Sequence, residues 1–156
     1  MSEKTNLGRL LLDRYRWFDQ ALLAALGDRL SVNLTSAQSL LFAELPLKGT
    51  RQSDLARSLG VSRQAINELV SALERLGLVE VVPDPESGRS KLIRPTERGR
   101  DSIRVAREVF TELETELRHR IGDGTVDQLR RGLDAEWGTP PQPSSATSDA
   151  GAGELG

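Results

Sequence analysis

A chain of 156 residues with 37% hydrophobic and 28% charged residues suits a soluble globular or helical protein: one aliphatic core with helical extensions. It has no cysteine and one histidine, His119, which excludes disulfides and zinc–thiolate sites and argues against a catalytic or sensing metal centre. The net charge is −2, yet residues 48–100 hold ten Lys/Arg against seven Asp/Glu, a local +3 of the kind that meets phosphate, leaving −5 for the remainder.

The first predicted helix covers residues 7–26, with Leu7, Leu10, Leu11, Phe18, Leu22 and Leu26 at steps of three, four or seven. Leu12 and Leu23 add apolar surface off that stripe, so the helix is either an ordinary buried one or part of a subunit interface. No signal peptide precedes it, and no apolar run approaches the roughly 18 residues of a membrane span. A cytoplasmic protein with no membrane partner is expected.

Thr35 with Gln38 three residues later forms a capping-box pattern that opens a short helix to about Glu44, with Ala37, Leu40, Leu41 and Phe42 inward. Pro46 and Gly49 break it. Thr50 caps a helix over residues 51–59 whose inward face is Leu55, Ala56 and Leu59; Gly60 ends it, Val61 plugs the turn, and Ser62 caps the next helix. Residues 63–76 then place Ile66, Leu69, Val70, Leu73 and Leu76 on one stripe and Arg63, Gln64, Asn67, Glu68, Ser71 and Arg75 opposite, before Gly77 closes the helix.

Two strand-like runs come next, residues 78–82 and 91–94, separated by an exposed loop from Pro83 to Ser90. Helix, tight turn, helix and a charged two-stranded ribbon make a winged helix-turn-helix, a shape that fits nucleic-acid grooves. A long helix extends from Thr96 to about Ile121, with Ile103, Ala106, Phe110, Leu113 and Leu117 as a short seam and Glu108, Glu112, Glu114 and Glu116 solvated beside it. Gly122 and Gly124 interrupt, a last helix runs over residues 126–137, and the Pro/Ser/Ala/Gly-rich stretch 138–156 is expected to be a disordered tail.

Forked cations and amides read base edges in the major groove: arginine suits guanine, and glutamine or asparagine suits adenine. Arg63, Gln64 and Asn67 sit near the helix N-terminus, the end that enters the groove, with Ser62 and Ser71 as phosphate or base-edge partners and Arg75 further back as a backbone contact. Glu68 accepts from cytosine, orients Arg63 or is merely solvated. Arg89 at the wing tip fits a narrow minor groove, with Asp84 bracing it across the loop and Lys91 and Arg94 meeting phosphates. Arg51, Gln52 and Ser53 are further phosphate candidates. Tyr15, Trp17 and Phe18 either line a ligand crevice or pack in an interface. No Ser/His/Asp set, phosphate loop or metal-ligand cluster points to catalysis, and no cofactor is expected.

The segments LTSAQSLLFAEL, QSDLARSLGVSRQAINELVSALERLGLVE and PDPESGRSKLIRPTERGR resemble the MarR family of transcriptional regulators over about residues 34–100. A lone helix-turn-helix is common to many families; the wing Asp, the Arg before a strand and the subsequent Thr-Glu-x-Gly narrow the resemblance. It implies a mainly α (α+β) fold: a single domain over residues 1–137, with a winged helix-turn-helix DNA-binding lobe at about 34–96 and dimerisation helices at about 7–30 and 97–137. It also implies a homodimer on a palindromic double-stranded operator, acting as a repressor and released by a small aromatic or lipophilic effector. The alternative is a winged-helix interaction scaffold that does not bind DNA. Asp84 and Arg89 match the family's wing pair, and Ser62, Gln64, Ala65 and Asn67 its recognition-helix region, whereas Glu68 stands where members often carry a basic residue.

Overall fold

The computed structural model describes residues 5–141, so most of the expected disordered tail, 142–156, lies outside the described residues. The helices are α1 (Leu7–Leu30), α2 (Ser36–Ala43), α3 (Gln52–Leu59), α4 (Arg63–Arg75), α5 (Glu97–Ile121) and α6 (Asp123–Asp134). The strands β1 (Thr50–Arg51), β2 (Val79–Asp84) and β3 (Ser87–Pro95) form one antiparallel sheet in the order β1-β3-β2. Mainly helical with a small sheet, this is the expected fold class. Among the described residues no helix is long and apolar enough to cross a membrane. The chain divides into two units, residues 1–117 and residues 118–156.

Helix α1 runs one turn past its expected end. Asn6 caps its start by accepting from the Arg9 N–H at 2.9 Å, and Ser31 ends it with φ 52°. The expected capping box at α2 is present, with Thr35 and Gln38 bonding each other's backbone reciprocally. The inward face of α2 differs from expectation: Leu41 and Phe42 are buried, Ser39 is buried with them, and Ala37 and Leu40 face outward. Val61 does not plug its turn either, being 40% exposed; its N–H closes the turn instead by donating to the Ala56 carbonyl.

Residues 50–51 are a strand, not the first turn of α3. Thr50 pairs with Ile93 and Arg51 with Leu92, so Arg51 belongs to the sheet and caps α3 without a side-chain bond. The ribbon is longer than its Pro/Gly content suggests: β2 reaches Asp84, β3 begins at Ser87, and only Pro85 and Glu86 make the tip. Proline has no N–H for a ladder, but β2 is an edge strand and the register slips at Pro83/Asp84, the two settings that tolerate it.

The core of the first unit joins Leu22 and Leu26 of α1, Leu41 of α2, Leu55 of α3, Ile66, Val70 and Leu73 of α4, Leu78, Ile93, and Val105 and Val109 of α5. Burying each large side chain contributes roughly 1.5–3 kcal/mol, so this one cluster fixes α4 against the rest of the lobe. On α5 the buried residues are Gly99, Ser102, Val105 and Val109, while the expected seam residues Ile103, Ala106 and Leu113 are half-buried and Phe110 is 42% exposed. Glu112 and Glu108 are exposed but paired, with Arg29 and Arg104. In the second unit, Arg118 bonds Asp123 and Asp127, and α6 stops at Asp134, short of Trp137, whose indole N–H donates to the Gly132 carbonyl at 2.8 Å.

Candidate nucleic-acid interface

Two helices joined by a three-residue turn build the reader. Gly60 ends α3 at φ 63° and ψ 29°, a left-handed conformation in which any Cβ would be strained. Ser62 then accepts from the Ala65 N–H at 3.1 Å and starts α4. With Ile66, Val70 and Leu73 turned into the core, periodicity leaves the other side of α4 outward: Arg63, Gln64, Asn67, Glu68, Ser71 and Arg75 are all exposed. Ser53, Ser62, Arg89 and Lys91 are exposed as well.

Hydrogen bonds already organise this surface. The Gln52 side-chain amide donates to the Asn67 carbonyl oxygen, tying the start of α3 to the middle of α4. The Gln64 amide donates to Glu68 at 3.3 Å, so Glu68 orients the glutamine rather than Arg63. Gln52 is legible as a polar residue at a helix start, but nothing local marks it as the partner of a residue fifteen positions on.

The wing differs most from expectation. Asp84 does not brace Arg89. It accepts from Arg51 Nε at 2.9 Å and Nη2 at 2.7 Å, and from the Glu86 backbone N–H at 3.0 Å. Its carboxylate thus links β1 to the base of the wing tip. Arg89 lies within β3 rather than at the tip, which leaves it an exposed strand cation. Arg94 is held by Glu80 at 2.8 Å across the β2–β3 ladder, so among the described residues Lys91 and Arg89 are the ribbon cations without such a carboxylate partner.

The Arg51 guanidinium, followed by the Glu86 N–H, holds the Asp84 carboxyl below its ordinary range. A depressed carboxyl stabilises the fold above its unfolded pKa of about 3.9, and that contribution is lost as pH falls through the lower folded value. Asp84→Asn keeps one acceptor, for the Glu86 N–H, and puts an amide NH2 in place of the oxygen that accepts from Arg51, so it removes the charge and the ion pair together. The variant is expected to have a lower urea midpoint than the parent at pH 7, with the gap closing in acid. A gap of equal size at pH 7 and below pH 3 would mean the charge contributes nothing.

A cavity of about 620 Å³ opens beside the reader, lined by α1, α2 and α5. Tyr15 and Phe18 line it; Trp17 does not, and instead meets the Phe18 ring edge-on at 4.8 Å. Phe42 and Phe110, which local pattern does not associate with Tyr15, complete its aromatic wall.

Comparison with known proteins fits this architecture. Residues 32–90 match the sequence profile of the MarR family. The curated relative known as transcriptional activatory protein BadR, from Rhodopseudomonas palustris (strain ATCC BAA-98 / CGA009), is 48% identical over 52 residues, which cover 33% of this chain and 30% of that relative's length. Wild-type MarR from E. coli in its apo form superposes with a TM-score of 0.66 at 25% identity, over 85% of this chain and 96% of that one. MepR of Staphylococcus aureus shares the fold, with a TM-score of 0.63 at 21% identity over 83% of this chain and 94% of its own. Over residues 32–90, from just before α2 into the wing, the chain is similar to the MarR family, and its fold is that of MarR.

Proposed function

We propose that this chain is a sequence-specific, double-stranded-DNA-binding transcriptional regulator, not an enzyme. It acts as a homodimer on a palindromic operator, represses transcription there, and is released by a small aromatic or lipophilic effector. One observation carries the reading: the outer face of α4 is a continuous polar surface of base- and phosphate-reading side chains that the fold does not use for its own packing.

Within this reading Arg63, Gln64 and Asn67 face base edges, Ser53, Ser62, Ser71 and Arg75 meet the sugar–phosphate backbone, and Arg89 and Lys91 track the adjacent groove from the wing. Arg51 and Asp84 act on DNA through each other: their bond sets the wing, and the remaining exposed edge of the guanidinium meets a phosphate. The extension helices supply the second copy's surface. Leu7 and Leu10 on α1 are exposed apolar side chains three positions apart, and, separately, Leu129 and Leu133 on α6 are exposed four positions apart, the helical spacing that dimer contacts use. Residues 1–137 then form one dimerising domain, and the DNA target implies a cytoplasmic site of action.

Selection of bound duplexes from a random pool at stated salt tests the reading. An inverted-repeat consensus, with half-sites about one helical turn apart, is the expected result. No enriched duplex, together with salt-insensitive capture of a protein partner, would turn the winged helix into an interaction scaffold instead. The relative's name, transcriptional activatory protein, favours activation as the second reading of direction. Transcript levels from the selected promoter rise on removal of a repressor and fall on removal of an activator.

A further inference from the structure

The chain has three phenylalanines and one tyrosine, and all four line the same cavity. Tyr15 and Phe18 come from α1, Phe42 from α2 and Phe110 from α5, with the Phe18 and Phe110 rings 6.3 Å apart at 47°. At about 620 Å³ the cavity lies within the range that takes a small organic molecule. Aromatic rings alone would mark it only as apolar.

Asp19 changes that. It lies one turn after Tyr15 on α1, lines the same cavity, and is only 6% exposed. Its Oδ2 accepts from the Ser36 hydroxyl at 2.5 Å, and no lysine or arginine among the described residues pairs with it. A buried carboxylate with one neutral partner is costly, and an incoming cation would offset that cost. Ring faces around the same space attract cations as well. Burial, and then the negative field of Asp19, push the Tyr15 phenol above its ordinary pKa. Arg107 also lines the cavity, but it is exposed, so water and salt screen its guanidinium far more than they screen Asp19.

We infer that the cavity binds a lipophilic monovalent organic cation, an ammonium head against Asp19 with an apolar body among Tyr15, Phe18, Phe42 and Phe110. This rests on the effector reading above and specifies the effector's charge. The three helices that line the cavity include α2, which packs on α4, so an occupant is placed to bias the reader's position.

Matched probes test the inference on the full chain: 4-phenylbutylammonium, 4-phenylbutanol and 4-phenylbutyrate, by isothermal titration and thermal shift. The ammonium is expected to raise Tm and to bind at least tenfold more tightly than the alcohol or the acid. Asp19→Asn, which keeps an acceptor for Ser36 and relieves the buried charge, is expected to remove that preference while the urea midpoint falls no lower than the parent's. The comparison among probes on the parent protein stands even should the variant fold poorly. Tighter binding of the acid, lost in Arg107→Gln, would overturn the inference, as would no binding of any probe or an ammonium affinity unchanged in Asp19→Asn. Duplex binding is measured separately: an ammonium that binds without releasing the selected operator supports the cation site and sinks the effector reading.

Discussion

Replacing Gly99 by alanine is expected to destabilise the reader lobe by about 3 kcal/mol or more, read as a fall in the urea midpoint with an unchanged slope. A Cβ at this position would stand 2.0 Å from the Leu78 carbonyl oxygen and 3.1 Å from both the Leu78 carbonyl carbon and Pro95 Cβ. The obstacle is backbone, which cannot swing aside as the end of a side chain can. The Leu78 carbonyl is also occupied, accepting from the Thr96 N–H at 3.0 Å. Around it, the Thr96 hydroxyl donates to the Gly77 carbonyl at 2.6 Å, and Arg98 donates to the Leu76 carbonyl at 2.7 Å. Relief of the clash therefore means pulling α5 away from the end of α4 and the start of β2 together. Alanine's better helix propensity returns only roughly 1 kcal/mol, so the clash wins. Gly132→Ala on α6 is the control, since a Cβ there meets nothing within 4 Å. That variant should be neutral or slightly stabilised; equal midpoints for the two variants would mean that α5 does not approach Leu78 this closely.

Where local chemistry decides structure, the amino-acid sequence is readable. The Thr35–Gln38 box, the Gly60 turn, the Ser62 cap and the α4 stripe all depend on residues within a few positions of one another, and each is present. The features that escape such reading are decided at longer range. A two-residue strand such as β1 has no period to detect, and only its pairing with β3 creates it. Pro83 and Gly88 suggest a long loop because their tolerance in strands depends on sheet position, which local pattern does not reveal. The same distinction runs through the site. The outward face of α4 comes directly from periodicity, but the partner of Asp84 lies 33 residues earlier on another strand, so proximity in sequence points to Arg89 for the contact that Arg51 makes. Tyr15 and Phe18 are four and one residues from Asp19, whereas Phe42 and Phe110 reach the same cavity from other helices. No spacing rule connects them.

The largest functional effects are expected at Asn67 and Arg89, and they should differ in kind. The Asn67 carbonyl oxygen accepts from Gln52, so the side chain arrives at the groove held in one orientation with its amide N–H groups outward. A fixed donor discriminates between base edges, because guanine O6 and N7, adenine N7 and thymine O4 accept, whereas cytosine N4 does not. Asn67→Ala is expected to cost about 1–3 kcal/mol on the selected operator, much less on random duplex, and to relax preference at one position of each half-site. Arg89 is an exposed cation on β3 with no carboxylate holding it among the described residues. Arg89→Ala should weaken operator and random duplex alike and reduce the slope of log K against log salt by about one per protomer, the signature of a lost phosphate contact. Gln52→Ala separates positioning from contact: it frees the Asn67 amide to rotate, and should relax preference at that same base position while leaving the salt slope as it was. Equal losses on operator and random DNA for Asn67→Ala, or a salt slope unmoved by Arg89→Ala, would show that the α4 face and the wing do not divide base reading from backbone attraction in this way.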